Sequence, residues 1–299
     1  MAFMMDNLLQ DSIHIVCCSD EQYMPLTATM LMSLVRNHTS HELLNVYIIN
    51  NGVSQTTQHN IDDLFSSENI VINWLSVDPK QIPSILEISD QYENISCHYY
   101  RLLTPYLLSQ KITKVLYLDV DLVILKDISD LWKIDFNNHI VAATQDFLES
   151  CGNAISNCIE LGIDPRAKYF NSGVLLIDLK KWREQDISKK VIRCRLSNEE
   201  AVRASSHYSY DQFGLNIILV NQWHVLAPQW NYSPGPEKSD ISPSIVHYYG
   251  DVKPWKPKCK EEFRQHFVYY LNQTLYGDYF NEEFKALSIE SYRSLSICP

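Results

Sequence analysis

Two aspartates spaced i and i+2, Asp119 and Asp121, close the apolar run Lys114-Val115-Leu116-Tyr117-Leu118-Asp119-Val120-Asp121. Carboxylates held this close repel one another unless a cation lies between them, and hard oxygen ligands suit Mg2+ or Mn2+ carrying a phosphorylated substrate. Residues 115–118 lack polar alternation, so they read as an interior strand covered on both faces. Open α/β sheets present their ligands at the carboxyl ends of such strands. An Asp-x-Asp pair alone arises about once by chance in a chain of this length, so its surroundings have to carry the reading.

The elements that would position the pair alternate along the chain. Residues 12–18 read as a first strand, and Pro25 opens a helix with Leu26, Met30, Leu34 and Val35 on one face. Residues 44–49 form a second strand that ends in the Asn51-Gly52 turn, Ser54 caps a polar helix through Leu64, and residues 70–77 supply a third strand. Residues 98–108 read as helical and lead into the strand before Asp119. Short strands follow at 122–125, 140–144 and 173–177, then helices from about Leu179 and over 211–219. Such alternation argues for a mainly parallel sheet with crossover helices. The proline-rich stretch 227–244 marks a long ordered loop near the expected site. Beyond it Phe263, Phe267, Tyr270 and Leu271 recur at helical spacing, and aromatics stay dense through Tyr292. We read a catalytic domain over 12–258 and a helical, aromatic-rich extension over 259–299 that docks on it.

Composition limits the function classes. The 299 residues carry 36 acidic and 25 basic side chains, a formal net charge of -11, with no cluster of lysine and arginine to track a phosphate backbone. Nucleic acid is excluded as a partner on that ground. No stretch approaches the roughly 20 apolar residues of a membrane span, and the polar face of the last helix lacks the basic residues that a membrane surface would favour, so peripheral membrane contact has weak support. Residues 1–10 carry no signal-peptide pattern, and the eight cysteines show no C-x-x-C spacing, which together point to reduced thiols and the cytoplasm. There is no G-x-S-x-G, Walker loop, H-E-x-x-H or G-x-G-x-x-G.

Four further segments share order and spacing with the aspartate pair. They are Ile13-His14-Ile15-Val16-Cys17-Cys18-Ser19-Asp20-Glu21-Gln22-Tyr23, Tyr99-Tyr100-Arg101-Leu102, Tyr169-Phe170-Asn171-Ser172-Gly173-Val174-Leu175-Leu176-Ile177, and His247-Tyr248-Tyr249-Gly250-Asp251-Val252-Lys253-Pro254-Trp255. From about Ile13 to Trp255 the chain resembles the family 8 glycosyltransferases, which include glycogenin and bacterial lipopolysaccharide galactosyl- and glucosyltransferases. The resemblance implies a GT-A-like α/β fold with a Rossmann-type sheet. It also implies retaining transfer of glucose or galactose from a UDP-sugar to an acceptor hydroxyl. The acceptor is left open as a glycan, a lipid-linked glycan, a protein or a small molecule.

Carried over residue by residue, the resemblance puts Asp119, Asp121 and His247 on the metal, and the imidazole shifts the expected ion from Mg2+ toward Mn2+. Asp20 would bond the uracil edge and Tyr23 pack on the base, with Cys18, Gln22, Val120 and Gly250 completing the nucleotide pocket. Lys253 would hold the leaving phosphate. Arg101, Asp146, Asn171, Asp211 and Gln212 are expected around the donor sugar, with Asp211, Gln212 and Lys253 as the catalytic candidates. The sequence departs from the family at Cys18, Ser19 and Gln22, at Ser172 in place of alanine, and at Phe213, where a second aspartate is common.

Each of these residues has a plainer reading. His247 alone would be a packed histidine, Asp211 and Gln212 ordinary first-turn residues of a helix, and Asp146 a strand-end acid. Two rival functions compete as well. Asp-Val-Asp-Leu-Val-Ile also fits the first motif of haloacid-dehalogenase-type phosphatases, but no later acidic metal pair completes that site. A catalytically silent nucleotide-sugar-binding protein would have no need of a charged cluster that is costly without its ion.

Overall fold

A computed structural model describes residues 12–87, 97–204, 210–235 and 240–283. Residues 1–10 and 236–239 and Tyr292, all used in the sequence reading, lie outside these. Seven strands make the main sheet: β1 (Ser12–Ser19), β2 (Leu43–Asn50), β3 (Ile70–Ser76), β4 (Lys114–Leu118), β6 (Val141–Ser150), β7 (Lys168–Asp178) and β8 (Trp223–Val225), in the order β3-β2-β1-β4-β7-β6-β8. β5 (Leu122–Ile124) and β9 (Ile245–His247) form a separate antiparallel pair. The expected mainly parallel sheet is present, with β7 alone reversed, antiparallel to both β4 and β6.

Both faces of the central strands are covered, which explains their unbroken apolar character. Ile13, Ile15, Cys17, Leu116 and Leu118 enter the apolar cluster on one face, while Val16, Val115 and Tyr117 enter the cluster on the other. The first face carries α1 (Met24–Asn37) and α2 (Gln55–Phe65), and Ser54 caps α2 by accepting from the N–H of Thr57. α3 (Leu179–Glu184), α4 (Ile187–Ser197) and α5 (Tyr210–Ile218) follow later in the chain. Side chains of α3, α4 and α5 join the cluster on the second face.

Three local expectations are revised. α1 is buried nearly all round from Met24 to Leu34 rather than on one stripe, because it lies between the sheet and α6 (Glu261–Leu271). Phe263, Phe267, Tyr270 and Leu271 of α6 enter the same cluster as α1 and β1, so this segment docks through the aromatic face its spacing marks. The helix expected over 98–108 is a 3-10 turn, Cys97–Leu103, continued by Thr104–Leu107. β6 and β7 both run well beyond the short strands expected at 140–144 and 173–177. Among the described residues no helix is long and apolar enough to cross a membrane. Cys17, Cys18, Cys151, Cys158, Cys194 and Cys259 are free thiols.

Candidate functional site

β4 ends at Leu118, and the next N–H, that of Asp119, donates to the carbonyl of Gly173 on β7 (2.8 Å). The chain then leaves the main sheet through Asp119-Val120-Asp121 to begin β5. Val120 turns its side chain into the core. Because β5 pairs with β9, Leu122 lies opposite His247, and the N–H of Tyr248 donates to the carbonyl of Asp121 (2.9 Å). This pairing brings an imidazole that is 126 positions later in the chain than Asp121 onto the two carboxylates. His247 Nε2 lies 3.2 Å from Asp121 Oδ1 and 3.7 Å from Asp119 Oδ2.

One ligand atom from each of Asp119, Asp121 and His247 falls within 4.8 Å of the others. Two carboxylate oxygens and an imidazole nitrogen suit a divalent ion of the Mn2+ type better than Mg2+. The backbone leaves room for them only because residue 173 is glycine. A Cβ there would lie 2.1 Å from His247 Cε1, 2.7 Å from its Nδ1 and 2.9 Å from Asp119 Oδ2. Gly173→Ala should therefore displace the ring, with a stability cost of about 1–3 kcal/mol from overpacking. A lower Tm with weakened Mn2+ binding in a calorimetric titration is the expected result, and unchanged Mn2+ binding would show that the ring does not need this space.

Lys253 pairs with Asp121 Oδ2. Burial alone would raise the Asp121 pKa, but Lys253 and His247 outweigh it and hold the carboxyl well below the usual carboxylate range. Burial pushes the Cys17 thiol up to about 12, with Asp119 adding to the shift. That sulfur stays protonated and inert at neutral pH.

The five residues expected around a donor sugar converge on one connected network. Arg101 donates through Nη2 to Asp119 Oδ1 (3.0 Å) and through Nη1 to the carbonyl of Ser172, while its Nε faces Asp211 Oδ2 at 2.5 Å. Its guanidinium also lies over the Tyr117 ring, 4.3 Å from the centroid, and the Tyr117 hydroxyl donates to Asp119 Oδ1 (3.1 Å). Asn171 Nδ2 and Gln212 Nε2 both donate to Asp146 Oδ2, at 3.0 and 3.2 Å. Gln212 Oε1 accepts from the N–H and hydroxyl of Ser172, at 2.9 and 3.2 Å. Ser172 thus supplies a second donor to Gln212 that alanine would not. Phe213 is fully buried in a separate apolar cluster with Tyr169 and Ile155, so that position does not face the network.

The amino-terminal part of the nucleotide expectation is less tightly drawn. β1 pairs with β4 in parallel, so both strands end at the same rim of the sheet. Asp20 Oδ1 accepts from the N–H of Tyr23 (2.9 Å), closing the turn that starts α1, and Tyr23 itself is 46% exposed. Gln22 faces a surface cleft of about 480 Å3 shared with Asn60 and Tyr276. Cys18 packs on the second apolar cluster at the end of β1. Gly250 has φ +59 in the turn between His247 and Lys253, a conformation glycine adopts without strain.

Three residues of the network were not singled out from the sequence: Gly173, Tyr117 and Asn231. Asn231 Oδ1 lies 2.8 Å from His247 Nδ1, and its Nδ2 donates to Asn171 Oδ1 (2.8 Å). It sits in the proline-rich stretch 227–244, yet only 8% of it is exposed. A polar residue between Trp230 and Tyr232, both buried, was the available signal.

The model of glycosyl transferase family 8 matches residues 14–259. General stress protein A of Bacillus subtilis (strain 168) is 29% identical over 279 residues, covering 88% of this chain and 94% of that protein. The lipopolysaccharide 1,2-glucosyltransferase of Escherichia coli (strain K12) is 31% identical over 173 residues, covering 52% of this chain and 48% of that protein. Among solved structures, galactosyltransferase LgtC in complex with donor and acceptor sugar analogues superposes with a TM-score of 0.72 at 21% identity, over 91% of this chain and 100% of that one. That likeness bears on architecture, and the shared architecture is the GT-A-like sheet.

Proposed function

The chain belongs to glycosyl transferase family 8, and on that premise we propose that it transfers glucose or galactose from a UDP-sugar to an acceptor hydroxyl with retention of configuration. Asp119, Asp121 and His247 hold the divalent cation, Mn2+ in preference to Mg2+. The observation that carries the reading is the convergence of these three groups within 4.8 Å, from strand ends that only the β5–β9 pairing brings together. The glucosyltransferase and galactosyltransferase among its relatives support a hexose as the group transferred.

Glycosyl transfer requires a diphosphate to depart while positive charge grows on the anomeric carbon, and a bound divalent cation would neutralise that leaving group. Lys253, next to Asp121, adds a second positive charge on the phosphate side. At about 4 Å a unit charge pair is worth roughly 1 kcal/mol in water and about 4 kcal/mol at an effective dielectric of 20, so a partly buried lysine contributes far more than a surface one. Asp20 and Tyr23 hold the uracil, with Cys18, Gln22, Val120 and Gly250 around the rest of the nucleotide. Arg101, Asp146, Asn171, Asp211 and Gln212 orient the donor sugar.

The network also bears on how configuration is retained. Gln212 is neutral and its carbonyl oxygen is taken by Ser172, Asp211 is paired with Arg101, and Phe213 faces the core. Asp146 is likewise engaged, accepting from Asn171, Gln212 and the N–H of Leu148, so among these described residues no carboxylate is left without partners to serve as a nucleophile beneath the ring. We infer a front-face route, in which the acceptor hydroxyl gives its proton to the departing phosphate on the same side of the sugar.

The test is a panel of UDP-glucose, UDP-galactose, GDP-mannose and ADP-glucose with Mn2+, read by nucleotide release. Turnover is expected with the uridine sugars and not with the others, and UDP should bind more tightly than GDP or ADP by calorimetry. Equal affinities for the three diphosphates would overturn the assignment of the Asp20–Tyr23 loop to uracil. Candidate acceptors, from free glycans to lipid-linked glycans, proteins and small molecules, are then screened with whichever donor turns over.

A further inference from the structure

We propose that Asn231 is a positioning residue that fixes the tautomer of His247 and the amide orientation of Asn171 together, so that the cation site and the sugar network assemble as one unit. The proposal rests on the reading of Asp119, Asp121 and His247 as the cation site.

The argument follows from which groups only accept and which only donate. Asn171 places its Nδ2 against Asp146 Oδ2 (3.0 Å). The backbone N–H of Gly173 only donates, and it reaches Asn171 at 2.9 Å, so the atom it meets must be the accepting Oδ1. Asn231 can meet this oxygen only with its own Nδ2, at 2.8 Å. Its Oδ1 then faces His247 Nδ1 at 2.8 Å and requires a proton on that nitrogen. With Nδ1 protonated, the neutral ring has its lone pair on Nε2, which is the nitrogen that faces Asp119 and Asp121.

The direction of every bond from Asn171 through Asn231 to His247 is therefore set by one obligate donor, the Gly173 N–H. His247, Asn231, Asn171 and Asp146 are all buried, so water offers no competing partners that would scramble the order. Hydrogen bonds to the remote nitrogen of a metal-binding histidine commonly tune affinity by roughly 10–100-fold. Here the same side chain also aligns a residue of the sugar network.

Two variants separate these roles. Asn231→Leu is close in volume and removes both bonds. Asn231→Asp keeps an acceptor for His247 Nδ1 but turns an oxygen toward Asn171 Oδ1. In metal-free protein labelled with 15N-histidine, long-range 1H–15N spectra identify the His247 signal by its loss in His247→Gln and are recorded at rising pH until the ring signals stop moving, so that the neutral ring is the form compared. The parent and Asn231→Asp should show the Nδ1–H tautomer, and Asn231→Leu should show Nε2–H or a mixture.

Mn2+ titration should give a Kd raised roughly 10–100-fold in Asn231→Leu and within a few-fold of the parent in Asn231→Asp. With Mn2+ saturating, Asn231→Asp should still lose kcat on the donor sugar, because its link to Asn171 is gone. An unchanged tautomer and unchanged Mn2+ affinity in Asn231→Leu overturn the proposal. A parent protein that shows the Nδ1–H signal but binds no Mn2+ overturns the cation site instead, so the two failures are distinguishable.

Discussion

Asp121→Asn should lower turnover by roughly 10^3-fold or more, equivalent to about 4 kcal/mol of lost transition-state stabilisation, while the protein stays folded. The substitution keeps the volume and removes one of the two charged oxygen donors that face His247 Nε2. It also leaves Lys253 without its carboxylate, yet that lysine keeps 19% of its side chain exposed and can be solvated where it stands. The Tm should accordingly remain within a few degrees of the parent. EDTA should reproduce the loss in the parent enzyme, and Mn2+ should restore activity to the parent but not to the variant. Full turnover by a rigorously metal-free preparation would sink the assignment of all three ligands.

The largest effect on stability is expected at Arg101. Its guanidinium lies between Asp119 and Asp211, bonds the Ser172 carbonyl and covers the Tyr117 ring, with only 7% of its side chain exposed. Arg101→Met keeps much of the packing and leaves two carboxylates without their cation. Breaking a buried pair in this way costs about 3–5 kcal/mol. For a chain of this size that corresponds to a fall in Tm of roughly 6–20 °C. Arg101→Lys should recover little, because one ammonium cannot reach both carboxylates and the carbonyl from a single position. Thermal unfolding of the metal-free variants decides the matter, and a Tm equal to the parent's would mean that Asp119 and Asp211 find other compensation.

The features legible in the sequence were those written locally. The apolar strand before Asp119, the carboxylate pair, and the segments around Arg101, Asn171, Asp211 and His247 were each readable from contiguous residues. The structure brings them to one place. The phosphatase alternative gives way to the family match over residues 14–259. What escaped the reading depends on pairing partners distant in the chain. The lengths of β6 and β7 and the reversal of β7 are fixed by neighbours, since a strand's own residues carry no sign of its direction. The helical stripe on α1 was real but incomplete, because a second helix from the end of the chain covers the side assumed to face water. Gly173 read as an ordinary strand residue, since what it avoids, the His247 ring, is contributed by a strand beginning 72 positions later.

The reversal of β7 has a mechanical consequence. A strand that runs with its neighbours delivers only its last residue to the rim and hands the chemistry to the following loop, as β1 and β4 do at Ser19 and Leu118. A strand running the other way passes the same rim near its beginning, so Asn171, Ser172 and Gly173 lie within β7 while forming part of the site. At these three residues the ladder itself is interrupted, since the pairs with β4 stop at Val174 and those with β6 skip from Leu175 to Phe170. The N–H groups of Ser172 and Gly173 are held instead by the side chains of Gln212 and Asn171, while Asp20–Tyr23 and Tyr249–Lys253 are turns. Any rearrangement at this rim is expected of those turns, whereas the β7 segment, buried and held by side-chain hydrogen bonds, is expected to keep its place.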